Sequence, residues 1–316
     1  MRALVTGADG FLGANLARLL RSLGVDVIGA ALNRHGHTAL DALGVDIRLE
    51  YGDILDPAYL RRLVNAYEPQ WVFHLAAVSI VRVAQADPYR AVHTNVMGTL
   101  NVLDACRYAS HGACAVQAVV VASSDKAYGD YGGQAYTEDL PLKPSGAYEL
   151  SKALADTLAR GWAQELEARV MVTRCANLYG PGDLQWSRLI PNSCRRIAAG
   201  QPPEVHPGAW QFEREWLYVE DAARAYVAIA EKGVTGEAYN VGSGEVATAG
   251  TVAARLAWHG QVAQPVESTW TGLHEIPAQK LSCDKVQRLG WRAGVDLSVG
   301  LEHTLSWYRG YLEREP

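Results

Sequence analysis

Apolar runs long enough to cross a membrane, runs of like charge, closely spaced cysteine pairs, low-complexity segments and internal repeats are all missing from this 316-residue sequence. Nowhere do about 18 apolar residues follow one another, so neither a bilayer-spanning helix nor a membrane partner is expected. The opening run Met1–Gly7 is too short for the apolar core of a secretory signal, and a soluble, cytoplasmic protein is expected. A formal charge of −5 without a basic cluster excludes a general nucleic-acid binder and leaves small molecules as partners. The five cysteines, Cys106, Cys114, Cys175, Cys194 and Cys283, are odd in number and lack the paired spacing of a zinc site. None stands in a recognisable nucleophile motif, so they read as buried free thiols and no metal is expected.

What is present suits a globular enzyme: 49% hydrophobic and 20% charged residues bury a substantial core in one large domain or two. Through the first half, short apolar runs alternate with amphipathic stretches, the pattern of a parallel sheet covered by helices on both faces. Strands are expected at 2–6, 26–30, 47–51, 71–75, 118–123 and 169–174, and helices at about 11–23, 57–67, 88–108 and 147–168. Past Asn177 the texture turns to Gly-, Pro- and Trp-rich loops, with one helix at 220–231 and a returning strand at 238–241. A substrate-binding part is expected to begin there.

Tyr148 and Lys152 are four residues apart on an expected helix, which stacks both side chains on one face. A cation beside a phenol lowers its pKa from near 10, so the pair reads as a proton switch. Composition alone predicts roughly 0.3 such pairs, so the surrounding sequence has to decide. Gly7-Ala-Asp-Gly10-Phe-Leu-Gly13 lies where the first strand turns into the first helix. There glycines admit a pyrophosphate to the backbone and the helix start supplies amides. The end of the second strand, Ala30 to His35, offers no acid for a ribose hydroxyl; Arg34 either meets an added phosphate or sits in solvent, so NAD and NADP both remain open. Asp53 in Tyr51-Gly-Asp-Ile54 either accepts from an adenine amino group or belongs to an ordinary turn.

Together, Thr6-Gly-x-x-Gly-x-x-Gly13, Gly52-Asp53, His74-Leu-Ala-Ala77, Thr94-Asn95-Val-Met-Gly-Thr99, Ser123-Ser124, Tyr148-x-x-x-Lys152 and Asn177-Leu-Tyr-Gly-Pro181 resemble the extended short-chain dehydrogenase/reductase family of nucleotide-sugar enzymes. The resemblance runs over roughly the whole chain. It implies a Rossmann-type α/β fold, a doubly wound parallel sheet with a smaller C-terminal substrate-binding α/β part. On that pattern residues 1–176, completed by about 219–243, bind the dinucleotide, while 177–218 and 244–316 bind a nucleotide diphosphate sugar. It further implies NAD as cofactor, contacted by Gly7, Gly10, Phe11, Leu12, Gly13, Asn33, Arg34, Asp53, Ile54, Leu75, Ala76, Ala77, Asn95, Tyr148 and Lys152. Ser79, Arg82, Ser124, Asn177, Arg188 and Arg214 are implied on the substrate, and a homodimer through a four-helix bundle is implied from the helices near 88–108 and 147–168. Tyr148 corresponds to the acid/base at the sugar 4-hydroxyl, Lys152 to the partner that binds the nicotinamide ribose, and Ser124 to the donor on the sugar oxygen. The fork of donors on Arg214 suits a diphosphate, and an ion pair with Glu213 or Glu220 is its alternative. Asp221 reads as structural. His206 and Trp210 either wall a nucleobase or pack.

Ser124-Asp125-Lys126 separates reactions within that family. A 4-epimerase only oxidises and re-reduces carbon 4. A 4,6-dehydratase also needs a base at carbon 5 and an acid at the departing 6-hydroxyl before hydride returns to carbon 6. Asp-Lys resembles the CDP-glucose 4,6-dehydratase branch, so Asp125 is assigned as the acid and Lys126 as the base. That demands a Lys126 pKa lowered by about 3 from its usual value, and a strand that has ended by Ser124 so that both side chains converge. A loop ion pair is the bland alternative. A 4-epimerase or 4-ketoreductase is the runner-up reaction, and a non-catalytic dinucleotide sensor the reading from another class.

Overall fold

The computed structural model describes residues 1–34, 36–108, 116–269 and 276–314. Short runs such as Arg2-Ala-Leu-Val-Thr6 and Ala118-Val-Val-Val-Ala122 are buried on both faces, as strands in the middle of an α/β sandwich must be. They give β1 (Arg2–Thr6), β2 (Asp26–Ala31), β3 (Arg48–Tyr51), β4 (Trp71–His74), β5 (Ala118–Ala122) and β6 (Arg169–Cys175). The later strands are β7 (Asn177–Tyr179), β8 (Glu204–Val205), β9 (Glu213–Tyr218), β10 (Ala238–Val241), β11 (Val246–Thr248), β12 (Val266–Glu267) and β13 (Ala278–Gln279). Seven strands form one parallel sheet in the order β10-β6-β5-β4-β1-β2-β3. Chain order reverses between β1 and β4, and the crevice beyond their C-terminal ends is where such sheets bind ligands.

One core packs the helices Phe11–Ser22 and Val219–Lys232 on one face; the other face carries Pro57–Tyr67, Gly98–Tyr108 and Ala147–Trp162. Leu16 and Leu20 of the first helix are fully buried, each worth about 1.5–3 kcal/mol relative to exposure. A second, four-stranded sheet joins β9 to β11, β13 and β7. Its own core includes residues of the helices Leu189–Ala198, Ala249–Gly260 and Leu297–Arg314.

Three expectations need correction. The helix over 88–108 is broken: Pro88–Val92 passes through a π turn, His93–Met97, into Gly98–Tyr108. The turn holds Asn95, whose side chain binds the Val78 backbone. The helix over 147–168 stops at Trp162, a 3-10 turn follows over Ala163–Glu165, and Leu166 is already extended, leading into β6. Third, the described residues after Asn177 carry three further long helices, Leu189–Ala198, Ala249–Gly260 and Leu297–Arg314, where loops were expected. His35 and Cys114 lie outside the described residues; Cys106, Cys175, Cys194 and Cys283 are buried, and Cys175, Cys194 and Cys283 are free thiols.

Candidate active site

The site begins at the turn after β1. Gly7 has a φ of +70°, and a Cβ there would lie 2.9 Å from the Ala76 amide nitrogen. Gly13 is tighter still: its Cβ would stand 2.1 Å from the Gly7 carbonyl oxygen, so only glycine lets the helix start pack onto the turn. Gly10 caps that helix without a side-chain hydrogen bond, and no acid occupies its first turn. The first amides are therefore left for a ligand, and their partial positive charge suits a pyrophosphate. The turn fits a dinucleotide.

Beneath it, His74 at the end of β4 is buried between two threonines. Thr99 donates its hydroxyl to the Asn95 carbonyl oxygen at 2.6 Å, so its oxygen accepts from His74 Nε2 at 3.1 Å, and Thr6 donates to Nδ1 at 2.8 Å. Burial, with the nearby Lys152 charge second, pushes the imidazole down to about 3.

Where β5 ends at Ala122, Ser124 caps a 3-10 turn over Asp125–Tyr128. The strand has thus finished before the pair, and both Asp125 and Lys126 line the cleft. Asp125 is buried, with Oδ1 accepting from Ser124 at 3.1 Å and Oδ2 without a hydrogen-bond partner. Burial raises its pKa against the pull of Lys126, Ser124 and Arg214, which makes it a carboxyl inclined to keep its proton. Lys126 is half-buried, its Nζ 3.5 Å from Gln279 Oε1.

Tyr148 and Lys152 stand on the buried face of the helix Ala147–Trp162. Burial pushes the Tyr148 phenol up to about 12, with a hydrogen bond to Ser124 opposing. The neighbouring lysine was expected to lower it; instead burial prevails, and Lys152 Nζ donates to the Ala122 carbonyl at 2.8 Å. Burial brings Lys152 down to about 8.

These groups face one cleft of about 1280 Å³, larger than the roughly 300–1,000 Å³ of a single-ligand pocket. It has room for two ligands. Of the expected residues, Gly7, Gly10, Phe11, Leu12, Gly13, Asp53, Ile54, Leu75, Ala76, Ala77, Ser79, Arg82, Ser124, Asn177, Arg188 and Arg214 also line it. Asn177 Nδ2 is buried with no protein partner, an orphan donor in the cleft lining. Arg188 is paired with Asp183 at 3.0 Å, and Arg214 is buried with Nη1 on the Glu213 carbonyl.

Three residues are not brought to the cleft lining. Asn33 and Arg34 are exposed beyond the end of β2, where Ala31 and Leu32 line the cleft instead. Asn95 lies behind the wall, accepting from Val78 N at 2.7 Å and donating to Val78 O and to Ser151 Oγ. Asp221 is structural, accepting from Gly294 N and Val295 N. His206 lines the cleft, whereas Trp210 packs against Gly250. Sequence reading passed over Cys175 and Tyr226, which line the cleft floor, and over buried Glu215 and Gln279 beside it. A Glu followed by an aromatic in a charged strand was the available signal for Glu215. Among the described residues no cluster of His, Cys, Asp or Glu can hold a metal.

A dinucleotide cradle joined to a buried Ser-Tyr-Lys set defines a redox enzyme of the short-chain dehydrogenase type. Residues 3–242 match the NAD dependent epimerase/dehydratase family, and the chain belongs to that family. The dTDP-glucose 4,6-dehydratase of Neisseria meningitidis is 33% identical, covering 97% of this chain and 93% of that one. The dTDP-glucose 4,6-dehydratase DesIV of Streptomyces venezuelae, solved with NAD, superposes with a TM-score of 0.88 at 29% identity over 98% of this chain and 97% of its own. The UDP-glucose 4-epimerase of Thermus thermophilus, also solved with NAD, gives 0.87 at 28% identity over 98% and 99%.

Proposed function

We propose that this protein is an NAD-dependent nucleotide-diphosphate-sugar 4,6-dehydratase. The observation that carries the reading is Asp125: a buried carboxyl with one unpartnered oxygen and a raised pKa, in the cleft beside Lys126. Oxidation and reduction at carbon 4 need no such acid, whereas loss of a hydroxyl does.

Gly7, Gly10 and the helix start Phe11–Gly13 would hold the pyrophosphate, and Asp53 and Ile54 would take the adenine side. When bound, NAD supplies the hydride acceptor. Ser124 orients the sugar 4-oxygen and Tyr148 moves its proton; burial holds the phenol near 12, and the hydrogen bond to Ser124 and the positive charge of Arg188 pull against it. Lys126 acts as the base at carbon 5, and Asp125 delivers its proton to the 6-oxygen, which leaves as water. Bound NAD would supply the hydride that carbon 6 needs, and Lys126 would give a proton back at carbon 5. Arg214, Arg188 and Asn177 grip the diphosphate, Ser79 and Arg82 the sugar side, and residues 177–218 and 244–316 form the substrate part.

The relatives are named for dTDP-glucose, so that sugar is the first substrate to test, with CDP-glucose beside it because of the Asp125-Lys126 pair. Substrate deuterated at carbon 4 is expected to yield product labelled in a new methyl group, with solvent deuterium at carbon 5. Lys126→Met should preserve hydride removal and abolish exchange at carbon 5; Asp125→Asn should spare exchange and block water loss. Return of the label to carbon 4 with unchanged mass establishes the second reading, a 4-epimerase, which the fold likeness to the Thermus enzyme favours.

A homodimer is proposed on exposed apolar residues of neighbouring helices, Val83, Met97, Leu150 and Leu154. Leu150 and Leu154 are one turn apart, and single exposed apolars of this kind need no partner while a contiguous set does. Buried free thiols fit a reducing, cytoplasmic setting. No described helix is long and apolar enough to cross a membrane.

A further inference from the structure

We propose that Tyr128 is a positioning residue whose hydroxyl, held between Arg174 and Asn240, fixes the turn that presents Asp125 and Lys126 to the cleft. This rests on the dehydratase reading above. A single 3-10 turn has little rigidity of its own; this one is closed by Ala127 N on Ser124 O, Gly129 N on Lys126 O and Lys126 N on the Ser124 hydroxyl. Its end is held by Lys143 N on the Tyr128 carbonyl and the Tyr136 hydroxyl on the Gly129 carbonyl, so that the Tyr128 side chain is its tether to the sheet beneath. Tyr128, its last residue, is fully buried. Its hydroxyl accepts from Arg174 Nη1 at 2.8 Å and donates to Asn240 Oδ1 at 2.7 Å. Asn240, on β10, is fixed in turn by donating to the Tyr136 and Ser282 carbonyls.

Arg174 carries the tether further. Its guanidinium lies 4.8 Å from the Tyr128 ring centroid and grips Asp156 through two hydrogen bonds, 2.8 and 2.9 Å, with both partners fully buried. Asp156 follows Lys152 by one helical turn on the helix that also carries Tyr148. One satisfied network therefore connects the elimination pair on the turn to the redox pair on the helix. Ser124 follows the last sheet bond, Ser123 N to Thr173 O, and its hydroxyl accepts from Lys126 N and donates to Asp125, so it is anchored to the sheet on one side and to the turn on the other. Loosening Tyr128 should thus displace Asp125 and Lys126 more than Ser124, and leave Tyr148 and Lys152 in place.

Replacing Arg174 or Asp156 leaves a buried charge unpaired and invites misfolding, so Tyr128→Phe is the test: it keeps the ring and its stacking and removes one hydroxyl. With dTDP-glucose and the NAD-loaded protein, hydride removal at carbon 4 is expected to stay within about twofold of native while water loss slows by about tenfold or more. Reduced-nicotinamide absorbance, expected to be transient in the native enzyme, should then accumulate. Without substrate, amide hydrogen exchange over 123–129 should quicken by about tenfold while 147–162 stays unchanged. Equal slowing of both steps without accumulation, or unchanged exchange over 123–129, overturns the positioning role. If the native protein releases no water from any nucleotide sugar yet exchange quickens in the variant, the dehydratase reading fails and the tether stands.

Discussion

Tyr148 enters the cleft as a neutral phenol, since burial outweighs the hydrogen bond to Ser124 that pulls its pKa down. Tyr148→Phe removes that hydroxyl and almost no packing, so the variant should fold and retain NAD while kcat falls by about a hundredfold or more. Near-native turnover in steady-state assays removes Tyr148 from the chemistry. Lys152 sets a second limit. Its pKa of about 8 means that the ammonium is largely present at neutral pH and is lost above that value. With the Lys152 ammonium proposed to hold the nicotinamide ribose, kcat/KM should decline above about pH 8, tenfold per further unit. A profile flat to pH 10 shows that the charge on Lys152 does not matter. The spacing of these two residues was legible in the sequence; the direction of the Tyr148 shift was not, because desolvation depends on which chain segments close over the helix.

At the scale of elements, the first turn of the helix Phe11–Ser22 is the most demanding piece of backbone. Gly13→Ala places a methyl 2.1 Å from the Gly7 oxygen and must push the helix start off the turn, at about 1–3 kcal/mol. We expect a lowered Tm and loss of NAD during gel filtration, and a variant that keeps its nucleotide contradicts the cradle. This element was readable because glycine spacing, strand and helix coincide within thirteen residues. Elsewhere the pattern was weaker. The helix Leu189–Ala198 carries Pro191 in its first turn, where proline is tolerated but reads as a breaker. Gly300 and Gly310 likewise dilute the helix Leu297–Arg314, though Gly300 sits where a Cβ would meet the Tyr179 hydroxyl at 2.2 Å. The π turn at His93–Met97 answers to Val78, a contact that no local periodicity encodes. The outward face of the neighbouring helices offers its own test: Leu150→Glu with Leu154→Glu should shift light-scattering mass toward the monomer if this face pairs two copies.

Across the whole molecule, β1, β4 and the helix Gly98–Tyr108 meet at His74, and their meeting makes stability depend on pH. The Thr6-His74-Thr99 arrangement accepts a neutral ring, with Thr6 donating to Nδ1 and Nε2 donating to Thr99, so a second ring proton would face a donor. The folded pKa of about 3 lies below the ordinary 6.5. Between those values the unfolded chain binds the extra proton and the folded one does not, so stability rises with pH through this window and is lost as pH falls from about 6.5 toward 3. Asp125 and Glu215 act in the opposite sense: burial raises both, so their ionised forms cost stability at neutral pH and that cost disappears in acid. Comparison with His74→Gln isolates the histidine, because the amide can bridge the two threonines without titrating near neutrality. From pH 7 to pH 5 the native protein should lose about 2 kcal/mol more unfolding free energy in urea than the variant does. Parallel losses in the two proteins would show that the ring titrates normally, and that β4 is less tightly closed over its end than the hydrogen bonds at His74 require.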